Sequence, residues 1–362
     1  MKDRYPRVEI DLGHLKHNVE AVVRKCGAMG IDIAGVIKGA NGLPEVAKAF
    51  DEGGARWIAS SRLEQIQDAI DAGITKPMML IRIPMLSEVE DVVRLCDYSL
   101  ESEVELLKAV NAEAARQGKI HNVILMADMG DLREGFWDKD EMAQVSLMIE
   151  KDLKNLHLSG IGTNVGCYGS ILPTVGKLNE LVEVAEKIEA VIGRKLEIIS
   201  GGATSSLLRV WDGTMPERIN MLRCGEGILL ARDLPLYYNC PQPELYQDMF
   251  RLKAEVIEVK DKPSHPVGDI GVDAFGHQVQ YVDRGIRRRA LLGMGKVDYG
   301  DPSELLPMEE GIEILGASSD HTIVDIEDAA KDWKVGDIMT FDVSYAVLVY
   351  ITSSRNVNIV FK

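Results

Sequence analysis

From about residue 7 to residue 230, short apolar runs alternate with longer stretches in which apolar residues return every three or four positions. Runs and stretches in that order are expected of parallel strands joined by helical crossovers. Eight strands are predicted: IDIAGVI ahead of Lys38, WIAS at 57–60, MMLIRI at 78–83, DYSL at 97–100, HNVILMAD at 121–128, LHLSGIGT at 156–163, LEIIS at 196–200 and INMLR at 219–223. Residues 63–72, 101–117 and 177–191 carry helical spacing between them. Eight such strands make a closed (β/α)8 barrel of the TIM type. After about Pro241 helical periodicity fades, and β-branched segments such as FRLKAEVIEV and IMTFDVSYAVLVYIT are separated by the turn-rich DKPSHPVGDIG and GKVDYGDPSE. The expected organisation is a barrel over 1–240 and a mainly β C-terminal domain over 241–362, with the linker inside LYYNCPQPELYQ and no internal repeat.

Composition changes this picture little. A chain of 362 residues exceeds one ordinary hydrophobic core, which agrees with two domains. Hydrophobic residues at 46% and charged residues at 27% fit a soluble globular protein, and the apolar runs are too short to span a bilayer. The N-terminus MKDRYPRVEIDL has charges where a signal peptide needs an apolar stretch, so a cytoplasmic location is expected. Five cysteines without a CxxC pair suggest reduced thiols rather than disulfides or structural zinc. A net charge of −16 argues against nucleic-acid binding. It serves solubility, or it steers a cationic substrate toward an acidic cleft.

Barrel enzymes place their chemistry where strands end and loops begin. Lys38 ends the first strand ahead of Gly-Ala-Asn-Gly, either as a functional amine or as a lysine snorkelling to solvent. MADMGDLREG after the fifth strand gathers Asp128, Asp131, Arg133 and Glu134. Arg133 there is suited to an anionic group or to a loop-closing ion pair. GTNVGCYGS after the sixth strand leaves Asn164, Cys167 and Tyr168 near the same opening, where packing would explain them equally well. SGGATSS after the seventh strand offers Thr204 and Ser205 beside glycines, and Arg223-Cys224-Gly225-Glu226-Gly227 forms a second glycine turn after the eighth. Two adjacent turns of that kind, at those two strands, favour a phosphorylated ligand.

A lysine ending strand one, an arginine in GDLREG and an arginine opening the glycine turn after strand eight resemble the alanine racemase family of pyridoxal-phosphate enzymes. RIPMLSEVEDVV, MGDLREGFW, GIGTNVGCYGS, SGGATSS, KPSHPVGDIGVDAFG and EILGASSDHTIVD look like its ornithine racemase branch, across nearly the whole chain. The resemblance implies pyridoxal 5'-phosphate as cofactor, with Lys38 as the Schiff-base lysine and one of two acid/base groups. It implies phosphate contacts from Thr204 and the backbone of Gly225 and Glu226, with Asn164 and Ser205 as further cofactor contacts. Arg223 would meet the pyridine nitrogen and Arg133 the phenolic oxygen. A guanidinium only donates, so the nitrogen facing it stays unprotonated. The ring is then a weaker electron sink, which favours prompt return of the proton to Cα and hence racemisation.

The chain departs from the family at the second base. Where alanine racemases carry a tyrosine in GYADG, this chain reads GMGKVDYG, with Met294 at or near that position. Asn164 stands where a histidine is usual. The candidates are Cys167, as a thiolate, and Asp298, Tyr299 or Asp320. Asp320 in SSDH, or Asp273 in VDAFG, is also suited to a substrate ammonium, Asp273 having a turn-stabilising role as its plainer explanation.

The expected function is racemisation of ornithine or another basic amino acid by a homodimer with shared active sites and no metal. The alternatives are a related lyase or eliminase, and a non-catalytic pyridoxal-phosphate-binding protein. The long β domain argues against the second.

Overall fold

The computed structural model describes residues 4–273, 275–276, 278 and 280–362, so Met1 to Asp3 and Ala274 of VDAFG lie outside the described residues. Eight parallel strands close into a barrel: Asp32–Val36, Trp57–Ser60, Met78–Leu80, Tyr98–Glu101, His121–Met126, Leu156–Gly162, Ile198–Ser200 and Met221–Cys224. Closure joins the first strand to the last, with Ala34 opposite Arg223 and Gly35 opposite Cys224. Each predicted strand is present. The apolar run at 78–83 pairs only through Leu80, because Arg82 turns to the Ser61 carbonyl at 3.1 Å and to Glu88 at 2.6 Å.

Ala34, Val36, Trp57, Ala59, Met79, Leu100, Ile124, Met126, Ile198 and Met221 fill the barrel interior. Small residues face large ones there, which lets side chains from alternate strands fill the lumen as a solid core. Helices cover the outside. Val104–Gln117 starts three residues later than its spacing predicts, because Glu101 still pairs as strand, opposite Leu125. Val175–Ile192 begins at Thr174, whose hydroxyl accepts the Lys177 N–H at 3.1 Å.

One compact unit, Leu12–Gln247, holds the barrel, and the other comprises the described residues up to Asp11 and from Asp248 to Lys362. The N-terminal strand Arg7–Ile10 belongs to the second unit because it pairs antiparallel with 250–253 and parallel with Asn358–Phe361. The long strand Phe250–Pro263 organises that unit, with Ile338–Val343 on one side and Ile286–Leu292 on the other. IMTFDVSYAVLVYIT, predicted as β, is strand only to Val343; Tyr345–Ile351 is helical. Ser344 caps that helix by accepting the Val347 N–H at 3.2 Å, and Val347, Leu348 and Ile351 bury one face. Tertiary burial overrides the β-branched composition at this point.

Candidate active site

The first barrel strand delivers Lys38 into a single tight turn, Lys38–Ala40. Asn41 closes the turn in a left-handed conformation (φ 50°) and returns its N–H to the Lys38 carbonyl at 3.0 Å. Gln65 steadies Asn41, donating to its Oδ1 at 3.0 Å while accepting from Ser60 Oγ at 2.5 Å. The Lys38 amine is reached by water yet flanked by protein and by cations. Desolvation lowers its pKa most, Arg133 next and Arg223 further, against opposing pulls from Cys167 and Glu134.

Arg223 lies buried on the eighth strand. One terminal nitrogen donates to Ser200 Oγ and the other to the Thr163 carbonyl at 2.8 Å, which ties it to the ends of strands seven and six. Those bonds use two of its five N–H groups. Burial lowers its pKa to about 10, so it remains cationic at neutral pH.

The two glycine turns are joined by Thr204, whose Oγ1 accepts the Gly227 N–H at 3.0 Å. The closeness demands glycine: a Cβ at 227 would stand 2.8 Å from Leu207 Cδ1 and 2.9 Å from Thr204 Cγ2. Ser205 spends its proton on the Val165 carbonyl at 2.8 Å. Gly225 and Glu226 begin the short helix Glu226–Leu229, where the first N–H groups have no intrahelical partner. The Glu226 side chain turns away to accept the N–H groups of Arg232 and Asp233 at 2.9 and 3.1 Å. Burial, reinforced by Asp233, pushes its carboxyl up to about 8, so it is held neutral near pH 7.

After the fifth strand, Asp128 accepts the N–H groups of Gly130 and Leu132 at 2.8 and 3.1 Å and folds the loop onto itself. Arg133 follows, its guanidinium clamped by Glu134 through Nε and through Nη2, the latter at 2.6 Å. That pairing raises its pKa. Asp131 is buried and receives N–H groups from Gly166, Tyr168 and Ile171 in the loop after strand six. Cys167 on that loop is exposed and close enough to influence Lys38, Arg133 and Arg223 electrostatically. Asn164 is only 9% exposed, and its Nδ2 has no hydrogen-bond partner.

The remaining sequence candidates belong to the β unit. Asp298 is buried with both oxygens engaged, Oδ2 accepting from Gly295 N at 3.0 Å and Oδ1 from Ser354 Oγ at 3.4 Å. It caps the turn Lys296–Tyr299. Tyr299 is buried against Thr322 Oγ1 at 2.7 Å, and burial pushes its phenol up to about 12. Met294 is buried beside them. Asp320 is exposed between Glu313–Ala317 and Thr322–Asp325, accepting from Ser319 Oγ at 2.8 Å. Asp273 accepts the Phe275 N–H at 2.8 Å in a turn whose Phe275 ring receives the Lys296 ammonium at 3.8 Å.

Sequence reasoning thus names the barrel-mouth residues Lys38, Arg133, Asn164, Cys167, Thr204, Ser205, Arg223, Gly225 and Glu226, and the structure brings Lys38, Arg133, Cys167 and Arg223 within mutual electrostatic range. It misses Gln65, the link between Glu226 and Asp233, and the wrapping of a whole loop around Asp131. Only the glycine spacing of GCYGS hints at that tight wrapping.

The family model for the alanine racemase N-terminal domain matches residues 10–233. An ornithine racemase from Acetoanaerobium sticklandii is 41% identical over 345 residues, covering 95% of this chain and 96% of its own. A lysine racemase from Thermotoga maritima is 39% identical over 358 residues, with 99% of both chains covered. Among solved structures, alanine racemase from Clostridium difficile superposes with a TM-score of 0.73 at 21% identity, covering 99% of this chain and 96% of that one. D-threonine aldolase from Filomicrobium marinum superposes at 0.72 with 14% identity, covering 97% and 90%, a likeness of fold alone. The chain belongs to the alanine racemase family.

Proposed function

We propose that this chain is a pyridoxal 5'-phosphate-dependent racemase of basic amino acids, with ornithine or lysine as substrate. One observation carries the reading: an amine of depressed pKa, Lys38, stands just past the end of a barrel strand within electrostatic range of two guanidiniums, Arg133 and Arg223. The relatives named for ornithine and lysine support the substrate class, since both molecules end in an ammonium. When bound, pyridoxal phosphate supplies the electron sink that lets an amino acid's Cα–H bond ionise.

The residues present suit that cofactor. Lys38 would hold it covalently, and as a neutral amine would take or return the Cα proton on one face. Arg223 has three N–H groups to spare and would keep the pyridine nitrogen unprotonated. Arg133, steadied by Glu134, would face the phenolic oxygen. Thr204 and the N–H groups of Gly225 and Glu226 would hold the phosphate, and the neutral Glu226 carboxyl adds no charge to repel it. Asn164 offers an unpartnered amide donor, while Ser205 steadies the loop through Val165.

Cys167 is favoured as the base on the opposite face, because Asp298 has both oxygens committed and Tyr299 is held far from neutral pH. Asp320, on an exposed hairpin tip, and Asp273 would recognise the substrate ammonium. Exposed apolar side chains on the loops after the fifth and sixth barrel strands, Leu132, Trp137, Tyr168 and Leu172, and on the helix Asp233–Tyr238, Leu236 and Tyr237, support a homodimer whose subunits share active sites. Five free cysteines support a cytoplasmic location.

The test is Cα–H exchange in D2O over a panel of L- and D-amino acids, read by NMR and chiral chromatography. Exchange with inversion for ornithine or lysine, and far less for alanine, is the expected result. Exchange with retained configuration, or none in the cofactor-loaded protein, overturns it.

A further inference from the structure

We infer that Asp131 is a positioning residue for proton transfer on the face opposite Lys38, a step resting on the assignment of that face to Cys167. Asp131 lies in the loop after the fifth strand and is 1% exposed. Its Oδ1 accepts from Gly166 N at 3.0 Å and Ile171 N at 3.4 Å, and its Oδ2 accepts from Tyr168 N at 3.0 Å. All three donors sit on the loop after the sixth strand, and two of them flank Cys167 directly. One buried carboxylate therefore fixes the backbone on either side of a thiol that is itself exposed.

The enclosure is tight. A Cβ at Gly169 would stand 2.6 Å from the Asp131 carbonyl oxygen, so the loop closes around Asp131 only with glycine there. Burial alone would raise the Asp131 pKa, but the bonds from Tyr168, Gly166 and Ile171 outweigh it and hold the group ionised. Ser205 anchors the start of the same loop from the seventh strand through Val165.

The arrangement serves a chemical need. A group that delivers a proton to one face of Cα must hold its place within a fraction of an ångström, and a glycine-rich loop does not do so unaided. Arg133 is held separately, by Glu134, so loosening the clamp leaves its partner in place.

The prediction is one-sided. In Asp131→Asn, equal in size, an amide replaces one acceptor oxygen, and Asp131→Ala removes both. With cofactor-loaded protein and separate enantiomers of ornithine in D2O, either change is expected to slow Cα–H washout from one enantiomer at least about tenfold. Washout from the other enantiomer, served by Lys38, and the cofactor's visible absorbance should stay as in the native chain. Amide hydrogen exchange by mass spectrometry should show protection lost over 165–172 and kept in the barrel strands.

Equal slowing from both enantiomers, or none, overturns the inference. Cys167→Ser separates the two readings. If it slows one enantiomer while Asp131→Asn slows neither, the clamp alone is refuted. If Cys167→Ser exchanges both enantiomers at native rates, the second-base assignment fails and the inference falls with it.

Discussion

A lysine can take a proton at neutral pH only if part of it is already neutral, and at Lys38 burial and two guanidiniums both push in that direction. The ordering of these causes can be checked. In chain freed of cofactor, the rate at which Lys38 combines with added pyridoxal phosphate is expected to rise with pH, with a midpoint below the roughly 10.4 of an ordinary lysine. Arg133→Ala should move that midpoint upward, because it removes a neighbouring cation and leaves Glu134 to favour the ammonium. Stopped-flow absorbance read against pH measures it. A midpoint that stays put in the variant would mean that desolvation alone sets the amine. Arg223 keeps its charge at neutral pH despite full burial, because a guanidinium lowered to about 10 is still protonated there.

At the scale of elements, the phosphate turn depends on Gly227 as much as on Thr204. Gly227→Ala places a methyl against Leu207 and Thr204 and breaks the bond from its own N–H to Thr204 Oγ1. Overpacking of this kind costs about 1–3 kcal/mol, so affinity for pyridoxal phosphate should fall by about fivefold to a hundredfold in a fluorescence titration. Unchanged affinity would remove the joined turns from the cofactor site. The barrel strands are legible in sequence because strands buried on both faces read as short continuous apolar runs, and the residues just past them are easily named. Other features leave no local trace. Arg7–Ile10 joins the β unit through partners more than two hundred residues away. The helix Tyr345–Ile351 is written in residues that favour strands, and only Ser344 marks its start. Lys38, Arg223 and Thr204 are visible as types at strand ends, whereas the roles of Gln65 and Asp131 arise from contacts between loops that sequence periodicity does not report.

For the whole molecule, buried titratable groups set opposing slopes in stability against pH. Glu9 is held at about 2: burial raises it, but Lys253, Lys362 and Arg7 outweigh burial. Glu189 is likewise at about 2 through Arg218 and Lys195. Both carboxyls are depressed relative to the unfolded chain, so their contribution is complete above about pH 4.5 and is lost as pH falls toward 2. His121 is lowered to about 4 by burial, so the folded chain also loses stability as pH falls from 6.5 toward 4. Glu101 has the opposite sign. It is fully buried beneath the helices, accepting from Ser99 Oγ at 2.7 Å, while Ser99 also meets His121 Nε2 at 3.0 Å. Burial pushes Glu101 up to about 8, as it does Glu226, so the folded chain holds protons that the unfolded chain gives up above about 4.5. Stability from these two declines as pH rises from 4.5 to 8 and is fully lost above that. The melting temperature should therefore peak at mildly acid pH and decline toward pH 9. Glu101→Gln keeps the acceptor for Ser99 and cannot ionise, so it should flatten the alkaline decline and leave the acid limb, which belongs to Glu9, Glu189 and His121, in place. Calorimetric melting from about pH 2 to 9 reads both limbs, and a variant that declines as steeply as the native chain would mean that Glu101 is ionised in the fold and that Ser99 and His121 stabilise its charge.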